Sequence, residues 1–421
     1  MNRKHLRLTA ALGASLVLTL TGCSTKAAPE SDSGSGGSGG VKTGPGVSDT
    51  AIKVGVITDL TGPAAPLAKP SMQASQLYVD QVNAAGGVCG RKVELLVRDH
   101  GFDVQKAVAA YAEVQPQVAA LGSLLGSAQT SALLDSIERD KLVTMVGGNS
   151  ASSLGHEHVQ VMSTTYDLDM INGVDWLVKT NGLKSGDKVG LIHQPGEYGE
   201  NAAEGVRFAA KKAGLELVVQ TVKPTDTDMT AQVTALGAQK VKAVVFAGTP
   251  GQTASLVGVA AAGGLKVPVL AHAAAYVPQL LATPAKPALE RMLYVVGGVP
   301  ALSGDAPALK QLVADYGKKY PKEQLNVGVQ VGTTNSAVLV EALRAACAAK
   351  DLSREGITKG LRSLKSFDKG MGSVLDFSDP AKSPNRKSYV LRPAEGLPGG
   401  LKTVQNATEV PAVAEYLAAR H

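Results

Sequence analysis

Cysteine is scarce in this chain. There are three in 421 residues, with a single tryptophan and aromatics at only 4%. So few thiols exclude a cysteine-rich metal or disulfide scaffold. So few aromatics argue against a surface built to stack nucleic-acid bases. Charge of one sign is also lacking. The net +6 falls to +3 once Arg3, Lys4 and Arg7 are set aside, and acids and bases alternate without a basic block. That distribution is not a nucleic-acid footprint. Beyond residue 20 no apolar run is long enough to span a bilayer. Catalytic spacings are missing as well. No G-x-G-x-x-G follows the first strand, and there is no P-loop or G-x-S-x-G turn. His156 and His158 stand two apart in a polar turn and read as solvated loop residues, so neither a metal nor a cofactor is expected. The chain reads as a binder rather than an enzyme.

What is present begins at the N-terminus. Arg3, Lys4 and Arg7 precede an apolar run from Leu8 to Leu20, followed by Leu20-Thr21-Gly22-Cys23. That order is a secretory signal, and its end resembles the bacterial lipobox. Residues 1–22 are then removed, and Cys23 carries the acyl chains that anchor the protein to a membrane outside the cytoplasm. The plainer alternative is an ordinary cleaved signal with a chance cysteine. Residues 23–46 are rich in Ser, Gly, Lys and Pro and read as a flexible tether. Cys89 and Cys347 remain, an even pair in an oxidising compartment.

The body alternates strand and helix. Near-continuous apolar runs at 52–58, 92–99, 118–125, 142–147, 188–194, 215–223, 242–248 and 267–272 read as strands covered on both faces. Between most of them lie helical patterns, at 70–84, 103–114, 128–138, 168–180, 197–213, 228–239 and 251–262. This is βαβ architecture: an α/β fold with mainly parallel sheets, long enough for two lobes. The last third differs. After a strand at 292–299 it carries helices near 305–319, 334–349 and 353–364, and late strands at 373–377 and 387–393 that return to the earlier sheets.

IKVGVITDLTGPAA (52–65), VNAAGGVCGRKVELLVRD (82–99), ERDKLVTMVGGNSASSL (138–154), HQPGEYGENAAEGVRFAAKKAGLELV (193–218) and DFSDPAKSPNRKSYVLR (376–392) together resemble the type I periplasmic solute-binding proteins. Within these the chain is most similar to the leucine/isoleucine/valine-binding proteins of ABC importers. The resemblance implies two doubly wound Rossmann-like lobes joined by a three-strand hinge, with the ligand in the cleft. Lobe one is then 47–167 plus 300–367, and lobe two 168–299 plus 368–421. It also implies a disulfide between Cys89 and Cys347, since both fall in lobe one of that fold. The expected partners are a small-molecule ligand, a permease with its ATPase and, through the lipid, the membrane. The expected state is a monomer. The alternative is a tethered sensor ectodomain that signals ligand occupancy to a membrane partner.

Ligands of open parallel sheets bind at the carboxyl ends of strands, beside helix N-termini. Ser127 follows a strand and precedes a helix, where its hydroxyl either holds an electron-rich group or caps the helix. The relatives hold a ligand carboxylate with a serine here and with hydroxyls in the next loop, where Ser150 and Ser152 stand. Tyr198 matches a Tyr-Gly of the relatives' second lobe. Thr165 and Asp167 lie at the first crossover as a candidate cleft-facing pair, with Asp167 equally placed to cap the next helix. Leu67 stands where relatives often have an aromatic. Amino-acid binders of this family carry an acid after the fourth strand of lobe two, to neutralise the ligand ammonium. Here that loop reads Ala271-His272-Ala273-Ala274-Ala275, and no acid is present. Unless Asp167 or Glu197 supplies the charge, the pocket of Leu67, Ala65, Thr249, His272 and Tyr276 suits a small organic acid, amide or aromatic better than a zwitterion.

Overall fold

The computed structural model describes residues 36–37 and 40–420. The signal expected at 1–22, the expected lipidation site Cys23 and most of the expected tether lie outside the described residues. Among those described, no helix is long and apolar enough to cross a membrane.

Two α/β lobes form the body. In the first, five parallel strands take the spatial order Lys92–Asp99, Ala51–Thr58, Ala120–Leu124, Thr144–Val146, Val159–Gln160. Alternate side chains of each strand serve opposite faces. Ile52, Val54 and Met145 pack under Leu339, Leu343 and Ile357 on one side. Ile57, Leu121 and Leu124 meet Ile137 and Val114 on the other. Burial on both faces is why these segments are continuous apolar runs. Three helices from late in the chain, Pro307–Lys319, Val327–Ala348 and Arg354–Arg362, complete this lobe. The Val327–Ala348 helix lies along Ala65–Ala84 so closely that a Cβ on Gly332 would sit 1.9 Å from the carbonyl oxygen of Ser71.

The second lobe has seven strands in the order Leu401–Thr408, Ser388–Pro393, Leu293–Gly297, Val269–His272, Ala243–Ala247, Lys188–His193, Glu216–Thr221. The first two run antiparallel to their neighbours and the rest are parallel. Its helices Tyr166–Asn181 and Glu197–Ala213 both stop on left-handed glycines, Gly182 and Gly214. The chain passes between lobes three times, near 161–165, 298–306 and 363–387. All three passages are largely irregular backbone rather than strand. The strand expected at 373–377 reduces to one bridge, Leu375 to Phe367.

Two features tie lobe one together. Cys89 and Cys347 form a disulfide with Cα atoms 6.0 Å apart, across 258 residues of sequence. In the chain-entropy picture, closing so long a loop is worth up to about 5 kcal/mol. The second feature corrects the tether expected through residue 46. Val41–Thr43 is a strand paired in parallel with Asp351–Leu352. The Lys42 amide donates to Lys350 O at 3.0 Å, and the Lys53 amide to Gly46 O at 2.8 Å. Val41 and Val47 pack against the lobe-one core. A period-two apolar pattern was absent because only three residues pair.

Candidate functional site

The strand ends of the two lobes face each other across a cavity of about 230 Å³. Lobe one lines it with Leu67 from the first turn of Ala65–Ala84, with Phe102 and Leu125, and with the turns at Gly126–Ser127 and Gly148–Asn149. Lobe two contributes Tyr166, Asp169, Tyr198, Thr249 and His272. Ser163, Gly298 and Val299 of the crossing segments close the back, beside Val327 and Val331. Gly126 is required in its turn. Its φ is 103°, and a Cβ there would sit 2.0 Å from Gln129 Oε1. Gly126, not Ser127, is the N-cap of the following helix, and no side chain caps it. The Ser127 hydroxyl is thereby left for the cavity.

Most of the wall is apolar, with Thr58, Ser71, Ser123, Asn149, Ser163, Gln194 and Thr249 among its polar residues, and a cluster of polar groups forms around Tyr166. Ser127 Oγ lies 3.4 Å from the Tyr166 hydroxyl. The Tyr166 ring packs edge-on against Tyr198 at 4.8 Å and against His272 at 4.9 Å between centroids. His272 is buried. Its Nδ1 accepts from the Ala274 amide at 3.2 Å, which assigns the ring proton to Nε2, 3.3 Å from Asp169 Oδ2. Ser388 donates its hydroxyl to the other oxygen of Asp169 at 2.6 Å. Asp169 is 2% exposed, and burial pushes its carboxyl above the usual range, with His272 and Ser388 opposing the shift. Burial also raises the Tyr166 phenol, and the Tyr198 phenol well above its ordinary value, with Tyr166 and Asp169 adding to the latter. Both phenols are therefore neutral donors at physiological pH.

Of the residues singled out in the sequence, Leu67, Ser127, Tyr198, Thr249 and His272 line this cavity. Thr249 is held by a capping box with Gln252. Ser150, Ser152, Thr165, Asp167 and Tyr276 do not line it. Ser150 caps a short turn and shares a 2.9 Å hydrogen bond with Ser152. Ser152 donates to Glu197 Oε2 at 2.7 Å, and the Ala151 amide to Asn201 at 3.1 Å, so this loop bridges the lobes at the rim. Thr165 donates to Asp167, whose carboxylate turns to Tyr416 and Arg420 on the far side of its helix. Tyr276 is buried in the lobe-two core and donates to Gly400 O at 2.7 Å.

Tyr166, Asp169, Phe102 and Asn149 were not foreseen. For the first two a signal existed. Residues three apart on a helix share a face, so Tyr166 and Asp169 look into the cleft while Asp167 looks away. Phe102 carried none: it is exposed at the rim, with φ of 63°. Among the described residues, no group of three or more His, Cys, Asp or Glu could hold a metal ion.

Residues 51–396 match the family described as periplasmic binding protein. A solved structure described as a fatty acid ABC transporter substrate-binding protein from Thermomonospora curvata is 46% identical, covering 90% of this chain and 98% of that one with a TM-score of 0.89. A branched chain amino acid ABC transporter structure from Thermus thermophilus with bound valine is 20% identical over 87% of this chain and 98% of its own. Its TM-score of 0.76 is a likeness of fold. The Leu/Ile/Val-binding protein of Escherichia coli K12 is 24% identical over 51% of this chain and 59% of its own length. Leu/Ile/Val-binding protein homolog 3 of Brucella melitensis is 26% identical over 47% and 54%. The chain thus spans little more than half the length of these curated relatives.

Proposed function

The chain belongs to the periplasmic binding protein family, and from that premise we propose that it captures an aliphatic carboxylic acid between its lobes and delivers it to an ABC importer. The observation that carries this reading is the distribution of polarity in the cavity. Leu67, Leu125, Val299, Val327 and Val331 offer hydrocarbon. Ser127 and Tyr166 bring their hydroxyls within 3.4 Å of each other beside the Tyr198 ring, where neutral donors suit a carboxylate. The one acid on the wall, Asp169, is already engaged by His272 and Ser388. A zwitterion would bury its ammonium without a free counter-charge, which costs several kcal/mol. The name of the 46% identical relative points the same way.

In this reading Ser127 donates to the carboxylate, and the Tyr198 ring lies beside it with its hydroxyl given to Nδ1 of His272 at 3.5 Å. His272 orients Tyr198, and Leu67 and Thr249 flank the chain. Ser150 and Ser152 act at the rim, where the bond to Glu197 favours lobe closure. The protein works outside the cytoplasm as a monomer, tethered through Cys23, and hands its ligand to a permease and ATPase. Calorimetry on protein stripped of lipid by unfolding and refolding tests the reading. Decanoate or palmitate should bind, and leucine, isoleucine and valine should not. Binding of leucine without any fatty acid would overturn it.

A further inference from the structure

We propose that the ligand's tail passes through the hinge into a second hollow, where Asn335 sets the longest chain the protein accommodates. The proposal rests on the reading of the cleft as a carboxylic-acid site. Behind the main cavity lies a smaller hollow of about 70 Å³. The two share six lining residues: Gly147, Asn149, Ser163, Gly298, Val299 and Val331. The opening between them depends on small residues. A Cβ on Gly298 would sit 2.3 Å from Ser163 Oγ and 2.8 Å from Thr164 Oγ1.

Beyond that opening the walls are Met162, Phe367, Met371 and Leu375, with Asn335. These come from the first and third crossing segments, while Gly298 and Val299 belong to the second. A tail lying here touches all three passages between the lobes at once. No headgroup is needed to hold such an occupant, because thioether, phenyl and branched side chains adapt to hydrocarbon.

Gln330, Thr334, Lys369 and Ser373 also line that wall, and Asn335 stands apart from them by a buried acceptor left without a partner. It sits inside the Val327–Ala348 helix, 2% exposed, and its Oδ1 has no hydrogen-bond partner. A buried acceptor of this kind is satisfied by a small polar molecule such as water. An alkyl end that displaces that molecule leaves the oxygen dry and loses what further burial would add. Each methylene that leaves water for an apolar wall is worth about fourfold in affinity. Affinity should therefore climb with chain length and stop climbing when the tail end reaches Asn335.

The experiment measures dissociation constants for saturated acids from hexanoate to stearate on the mature chain, stripped of lipid. It compares the natural sequence with Asn335→Leu and Met371→Trp. Leucine is nearly isosteric with asparagine and favours a helix interior, so the first variant folds. The second fills the hollow from a crossing segment. The natural protein should gain about fourfold per methylene and then level off. Asn335→Leu should move the levelling point to longer acids, and Met371→Trp to shorter ones, with hexanoate bound equally by all three. One shared length profile, or hexanoate weakened in step with the longer acids, would overturn the proposal. If the natural protein binds no acid of any length, the reading of the cleft falls, and the tail site with it.

Discussion

Arg420 places its Nη1 2.7 Å from Oδ2 of Asp167, and the carboxylate it meets is fully buried. Tyr416 donates to the same oxygen at 3.1 Å. Together they fasten the C-terminal helix Pro411–Ala419 to the first turn of Tyr166–Asn181. The acid that the sequence offered as a substitute for the family's ammonium-binding residue is thus committed to holding the chain end.

Asp167→Ala should therefore lower stability and leave ligand affinity unchanged. Breaking a fully buried pair costs about 3–5 kcal/mol. Arg420 keeps about a third of its side chain in solvent, so roughly 2 kcal/mol is expected here after screening. Urea unfolding and calorimetry on the same preparation measure both. A variant of natural stability with lost binding would return Asp167 to the ligand.

Ser127→Ala tests the head of the ligand. The hydroxyl neither caps its helix nor has a protein partner closer than Tyr166 at 3.4 Å. A hydrogen bond to a charged group is worth about 1.5–3 kcal/mol, so decanoate should bind at least about tenfold more weakly. The melting temperature should stay within a degree or two. Unchanged affinity for decanoate would remove Ser127 from the site.

Much of the fold was legible because sheets buried on both faces leave a strong imprint. Lys92–Asp99, Lys188–His193 and Ala243–Ala247 fall within about two residues of their apolar runs. Leu401–Thr408 left none. It is an edge strand whose side chains alternate into solvent, and Lys402, Gln405 and Asn406 mask the pattern. The helix expected from 334 begins at Val327, because Gly328 and Gly332 read as breakers when they are contact points with the first helix. In the site, loop position at the strand ends together with the family resemblance led to Leu67, Ser127, Tyr198, Thr249 and His272. The error over Asp167 was one of helical phase. Starting the helix at Tyr166 rather than 168 puts Asp169 on the cleft face.

Truncation separates tether from body. A chain beginning at Gly36, which keeps the pairing of Gly36 and Gly37 with Lys42 and Val41, should melt with the full-length protein. One beginning at Val47 loses the Val41–Thr43 strand, its pairing with Asp351–Leu352 and the packing of Val41. That should cost roughly 1–3 kcal/mol, from the hydrogen bonds and one apolar side chain lost. Ligand affinity should be the same for both, since the strand lies in lobe one away from the cavity lining. Equal melting temperatures for the two truncations would show that the body begins at Val47 after all.

The last prediction concerns pH and the rim residue Phe102. Its left-handed backbone, at φ 63°, is strained for a bulky side chain, and two contacts hold it. The Phe102 amide donates to His100 Nδ1 at 2.9 Å, and Gln129 Nε2 donates to Phe102 O at 2.7 Å. An accepting Nδ1 requires a neutral imidazole with its proton on Nε2, which donates to Leu125 O at 3.1 Å. Burial lowers the pKa of His100, while Asp59, the Leu125 carbonyl and Asp99 pull against it. The folded value thus lies below the unfolded one of about 6.5. The unfolded chain then takes up the proton first as pH falls. The contribution of His100 to stability is full above about pH 6.5 and is lost as pH drops through the folded value. Glutamine can make both contacts without titrating. The stability of the natural protein relative to His100→Gln should therefore be constant from pH 7 to 8 and shrink steadily below pH 6.5. A difference equal at pH 5 and pH 8 would mean that the imidazole does not brace Phe102 in its neutral form.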